Sequence, residues 1–205
     1  MVGGENMQTT RYDTHNRDLK YNSYESLSNI PHEILKVLMK SNENIFKLLK
    51  YTDDDPLSHD NLTMVEKNEL VFKGNRENPN DYDRRIFLIP TTSDATLEQQ
   101  SQLKIYLDNI LPVDSMKSLC TFAIEIISSL DVDTYNNGKN TRTLSIVEEL
   151  LKTLHGCRFD GIVGDLFFNN EASRYCTLKH DIYNQKNYHG YTICFSCYVS
   201  TPIVK

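Results

Sequence analysis

Cys194 and Cys197 stand three apart in the run CFSC, and paired thiols at short spacing are the first place to look for metal chemistry. The surrounding residues alternate as a strand does, so the two sulfurs point to opposite faces and cannot share one metal. Asp53, Asp54 and Asp55 offer clustered oxygens of the kind hard cations take, but consecutive acidic residues splay apart, which favours a solvated loop. Asp131-x-Asp133 opens like a calcium loop. Its sixth position is Asn136 and its twelfth is Arg142, where such loops require Gly and Glu.

Cys157 has His155 nearby in sequence and His189 further on. A thiol nucleophile needs a base in contact and a third group to orient it. His155 and Cys157 straddle an expected helix end and diverge, so the thiol reads as packing. The sequence holds no GxSxG, no HExxH, no glycine-rich phosphate loop and no dinucleotide fingerprint. No catalytic, metal or cofactor-binding residue is assigned.

These residues sit in a chain of 205 residues with 22 basic and 28 acidic side chains and a formal net charge of -6. Basic residues are interspersed with acidic ones, which opposes a phosphate-gripping nucleic-acid protein. No apolar run approaches a membrane span, and the first twenty residues lack the apolar core of a signal peptide. Five cysteines (120, 157, 176, 194 and 197) at irregular spacing do not form a disulfide framework.

The elements that position these residues can be read from periodicity. Residues 1–28 show neither period and read as an arm, disordered alone or ordered on a partner, in which Tyr21, Tyr24 and Leu27 are isolated anchors. Residues 29–205 read as one domain. Ile34, Leu35, Leu38 and Met39 predict a helix begun near Pro31; a break at Ser41-Asn42 and a second stripe of Ile45, Phe46, Leu48 and Leu49 follow. TDDDPLSHDN reads as loop, 62–72 as a short helix, 74–83 as a turn-rich loop and 84–90 as a short strand closed by Pro90.

Leu103, Ile105 and Leu107 alternate with polar residues, as do Cys120, Phe122, Ile124 and Ile126. DVDTYNNGKN carries turn chemistry. The clearest helix spans 142–155, with Ile146, Val147, Leu150, Leu151 and Leu154 as its stripe; Arg142, Ser145, Glu148, Glu149 and Lys152 are expected off it, and Gly156 is expected to cap it. DGIVGDLFF reads as a strand, and 169–187 as a polar stretch with some strand character. The last strand, 188–199, places Tyr191, Ile193, Phe195, Cys197 and Val199 on the core. The fold class is therefore α+β: a mainly antiparallel sheet of about four or five strands, packed with helices at the N-terminus and one helix before the last strands.

NIFKLLKYTDDDPLS (44–58), RRIFLIP (84–90), LKIYLDNI (103–110), FAIEII (122–127), RTLSIVEELLKTLHG (142–156) and YHGYTICFSCYVS (188–200) follow one another in an order that resembles neck proteins of tailed bacteriophages, especially the tail terminator (tail completion) type. The resemblance spans about residues 30–200; the arm and the 74–83 insertion depart from it. It implies a non-enzymatic virion protein without cofactor, assembled in the host cytoplasm. Such a protein forms a homo-oligomeric, hexameric ring that caps the tail tube and joins it to the head connector. Its partners would be itself, the tail tube protein and the connector protein. DNA would pass through without specific binding, and an acidic protein with no basic stripe suits that passage. Another head–tail connector, an adaptor or head-closure protein, is the alternative within this class. A small cytosolic enzyme using Cys157 or the acidic loop, and a binding module that folds its arm on a host protein, are the alternatives outside it.

Overall fold

The computed structural model describes residues 27–73, 84–90, 100–114, 117–168, 178–182 and 188–200, the stretch 178–182 by its backbone alone. The expected loop at 74–83, most of the polar stretch expected at 169–187 and the arm up to residue 26 lie outside the described residues. Leu27, which the sequence assigns to the arm, is buried and packs into the core.

Helix α1 (Ile30–Ser41) has Pro31 in its first turn, where a missing N–H costs nothing, and buries Ile30, Ile34, Leu35, Leu38 and Met39. Asn42 ends α1 and begins α2 (Glu43–Lys50). Its N–H donates to Leu38 O, and its side-chain oxygen accepts from the Ile45 N–H at 3.0 Å. One residue thus serves as stop and start, which is the break expected at Ser41-Asn42. A single 3-10 turn at Pro56–Ser58 lies in the acidic loop, and α3 (Met64–Glu69) opens with a capping box between Thr63 and Glu66.

Strand β1 (Ile86–Phe87) is shorter than the segment 84–90 predicts and runs parallel to β2 (Ser101–Pro112). Strand β3 (Lys117–Ser129) is antiparallel to β2, with a bulge that leaves Asp108 out of register. Most of the expected 131–140 loop is structured: α4 (Leu130–Asp133) leads into the hairpin β4 (Thr134–Tyr135) and β5 (Asn140–Thr141). Helix α5 (Arg142–Leu154) follows and buries Ile146, Val147, Leu150 and Leu154. Gly156, at a φ of 77°, lets the backbone reverse beyond it, and its N–H donates to Leu166 O at 2.8 Å. Strands β6 (Val163–Phe167), β7 (Leu178–Ile182) and β8 (Tyr188–Ser200) complete the sheet.

The strand order is β1-β2-β3-β8-β6, with β7 also paired to β8, so β6 and β7 share one side of β8 along different stretches. All pairs but β1–β2 are antiparallel, and the fold is α+β as the sequence predicts. Leu103, Ile105, Cys120, Phe122, Ile124, Ile126, Ile193, Phe195 and Cys197 join the residues of α1, α2 and α5 in one apolar core. The opposite sheet face is not the wet face that alternation implies: Thr121, Ala123, Cys194 and Ser196 are buried there too. Thr121 and Ser196 satisfy each other, hydroxyl to hydroxyl, at 3.1 Å. Gly190 is fixed by crowding, since a Cβ there would stand 1.9 Å from the Ile126 carbonyl oxygen.

Candidate functional site

Arg142 is the largest fully buried side chain among the described residues, only 1% exposed. Helix periodicity explains this: Arg142 precedes Ile146 by four residues and Leu150 by eight, so all three share one face. Its charge predicts a place off the stripe, and the structure corrects that expectation. The guanidinium finds its partners among backbone carbonyls. It donates to Tyr51 O at 2.7 Å, more distantly to Leu48 O at 3.4 Å, and also to Val132 O and Asp53 O. Its carbon lies 5.5 Å from the centre of the Tyr135 ring. Burial pulls its pKa below the usual range, while Asp53, Tyr135, Asp133 and Asp54 act in the opposite sense. Arg142 therefore ties the start of α5 to the end of α2 and to the acidic loop.

Asp133 takes over the capping of α5. Thr141, at the N-cap position, makes no capping bond through its hydroxyl. Instead Asp133 Oδ1 accepts the Thr143 N–H at 3.0 Å, and Oδ2 meets His189 Nε2 at 3.0 Å. A carboxylate at a helix N-terminus is favourably placed. The Asp–His pair has the form of a catalytic dyad, but the serine across the sheet from His189 is engaged elsewhere: Ser128 Oγ bonds Ser101 Oγ at 2.9 Å. Ser128 is also fully buried, so the group serves to fasten β8 to α5.

The acidic loop does not converge on a cation. Asp53 Oδ1 accepts the Asp55 N–H at 3.0 Å, and Oδ2 meets His59 Nε2 at 2.8 Å, with the His59 ring stacked on Tyr51 at 3.8 Å. Desolvation raises the Asp53 pKa, and the bonds from His59 and Asp55 outweigh it, leaving the carboxyl below its ordinary value. The Asp54 carboxylate turns the other way and accepts the Asn137 N–H at 3.0 Å, while its carbonyl accepts the Asn136 N–H at 2.8 Å. The loop is thus docked on the β4–β5 turn, more firmly held than a merely solvated loop.

Cys197 faces Cys120 across the β3–β8 ladder, and Cys194 faces Ala123. The CFSC thiols are therefore on opposite faces, as alternation demands. Burial pushes the Cys120 thiol up to about 11 and raises that of Cys197 further. Cys157 is partly buried, and desolvation raises its pKa as well. The ring of His155 is turned to another partner, with Nδ1 accepting the Phe168 N–H at 3.0 Å. Cys176 lies outside the described residues. Among the described residues no group of three His, Cys, Asp or Glu side chains could hold a metal, and no helix is long and apolar enough to cross a membrane.

An apolar groove of about 980 Å³ lies beside β1. Leu27 and Pro31 at the start of α1, Phe72, Leu88, Ile89 and Tyr106 line much of it. Ile89 is about half exposed, as are Leu111 and Val113 at the β2–β3 turn and Met64 on α3; Val65 on α3 is more so. Periodicity missed this groove because its residues come from four separate segments.

The YomW family model matches residues 42–197, well over half of the chain, from the α1–α2 junction to near the end of β8. No curated protein matches the sequence.

Proposed function

We propose that this chain, which belongs to the YomW family, a Bacillus phage-derived family, is a structural virion protein of the head–tail neck. In this reading it is a tail terminator: a hexameric ring that caps the tail tube, meets the head connector, and lets DNA pass without gripping it. The observation that carries the reading is the ordered set of segments from 44 to 200 that resembles tail terminators, nearly all of it within the stretch matched by the phage-linked family. The interior chemistry is consistent with a non-catalytic role. The Asp133–His189 pair and the acidic loop spend their polar groups on holding elements together, and the core thiols are buried. A net charge of -6 disfavours retention of DNA phosphates.

Ring closure needs two different surfaces on each subunit. The β1 groove and the exposed apolar residues of α3 and of the β2–β3 turn supply candidates. A reconstruction of the virion tests the reading directly: a ring of this protein between tube and connector is the expected result, and a head–tail joint with no copy of it overturns the proposal. Contact with the portal side and none with the tube would assign it instead as a head-closure or adaptor protein.

A further inference from the structure

The turn joining β4 to β5 contains Asn137-Gly138, the only Asn-Gly step in the sequence. Residues 136–139 are all exposed. Asn136 and Asn137 both have a φ of 55°, and Gly138 has a φ of 74°. The N–H groups of Asn136 and Asn137 are held by Asp54, and the Lys139 N–H closes the turn on Asn136 O at 3.3 Å. The Gly138 N–H makes no hydrogen bond among the described residues, and a Cβ built on Gly138 would meet nothing within 4 Å. A backbone nitrogen without a partner and without a side chain beside it thus follows directly on an exposed side-chain amide.

We propose that Asn137 is a site of spontaneous deamidation, with water as the only co-reactant, and that the product loosens the contact between the acidic loop and the β4–β5 turn. The Gly138 nitrogen attacks Cγ of Asn137, and an N–Cγ bond forms. The bond from Cγ to Nδ2 breaks, and the NH2 group leaves with the Gly138 proton as ammonia. Water then opens the five-membered imide at either carbonyl. Opening at one carbonyl gives aspartate; opening at the other gives isoaspartate, in which the backbone runs through Cγ. One water is consumed, one ammonia is released, and no atom changes oxidation state. Glycine matters here because no Cβ crowds the attacking nitrogen.

The structure also fixes the consequence. The Asp54 carboxylate is already 3.0 Å from the Asn137 nitrogen. A second carboxylate on residue 137 brings like charge to the Asp54 carboxylate, which with the Asp54 carbonyl holds this turn to the loop, and the repulsion is screened by salt.

The test uses the folded full-length protein, incubated in mildly alkaline buffer and followed by peptide mapping with mass spectrometry. Conversion of Asn137 to a mixture of aspartate and isoaspartate, several-fold faster than at any other described asparagine, is expected. Asn137 surviving as long as the others overturns the site. Asn137→Asp and Asn137→Ser test the consequence by amide exchange at Asn136. The aspartate variant should exchange several-fold faster at low salt, with the difference shrinking at high salt; equal exchange in the two variants overturns the loosening.

Discussion

Arg142 donates a 2.7 Å hydrogen bond to the carbonyl of Tyr51, ninety-one positions earlier, and through that bond the last helix holds the end of the second. Truncating Arg142 leaves several carbonyls facing a hole where a buried cation stood. Arg142→Met should lower stability by about 2–4 kcal/mol, the range expected for losing a buried polar network. Urea denaturation followed by circular dichroism reads this as a lower midpoint at unchanged slope.

Asn42 predicts a ranking of substitutions. Its amide nitrogen donates to Glu149 Oε2 and Thr153 Oγ1, both at 2.8 Å, while its oxygen caps α2. Asn42→Ser keeps a capping oxygen and should cost the least. Asn42→Ala should cost about 1–2 kcal/mol through the lost cap alone. Asn42→Asp caps equally well but sets a carboxylate against Glu149, so it should be less stable than Asn42→Ser; thermal melts at neutral pH order the three.

Glu66 predicts a pH dependence. Its carboxyl is lowered from 4.5 to about 2, first by the hydrogen bond from Lys50 and then by the N–H and hydroxyl of Thr63. The folded state binds this proton less readily than the unfolded chain. The stabilisation is thus complete above about 4.5 and is lost as pH falls through about 2. Glu66→Gln should flatten the fall of the urea midpoint across that window and leave the alkaline side unchanged.

Gly190 predicts an abrupt failure. In Gly190→Ala the new methyl would overlap the Ile126 carbonyl oxygen, which is itself part of the β3–β8 ladder and cannot rotate away. The expected cost is about 3 kcal/mol or more, in the class of backbone clashes. The variant should accumulate as insoluble protein when expressed, and wild-type solubility would contradict the pairing of Gly190 with Ile127.

The thiols predict a labelling pattern. Cys120 and Cys197 are fully buried, and burial raises both pKa values. A maleimide should modify Cys157 of the folded protein well before either of them, read by peptide mass. All three should react together in denaturant.

Much of this architecture was legible because amphipathic period and burial agree. α1, α2, α5, β2, β3 and β8 follow stripes that are plain in the residue pattern. The failures share a cause. Arg142 is a charge on a buried face, so a rule that sorts residues by polarity misplaces it, while its spacing from Ile146 would have placed it correctly. Short elements such as β1, α4 and the β4–β5 hairpin carry too few residues to display a period. Asp133 acts on a helix ten residues away and on His189 in β8, and His59 acts by stacking on Tyr51; neither relation leaves a mark in local sequence. The groove is assembled from distant segments and has no signature at all.

The position of β8 in the sheet has a consequence for how the protein reaches its folded state. Strand β3 is paired along its whole length with β8, yet α4, the β4–β5 hairpin, α5, β6 and β7 all intervene in sequence. Until β8 arrives, β3 presents a long unpaired rim that carries Phe122, Ile124, Ile126 and Ile127, the kind of rim that recruits other chains. Closing so large a loop costs chain entropy that the local β2–β3 hairpin does not incur. The nascent protein is therefore most vulnerable to self-association between the completion of the β2–β3 hairpin and the docking of β8, and a chaperone that shields that rim would raise yield without adding anything to final stability.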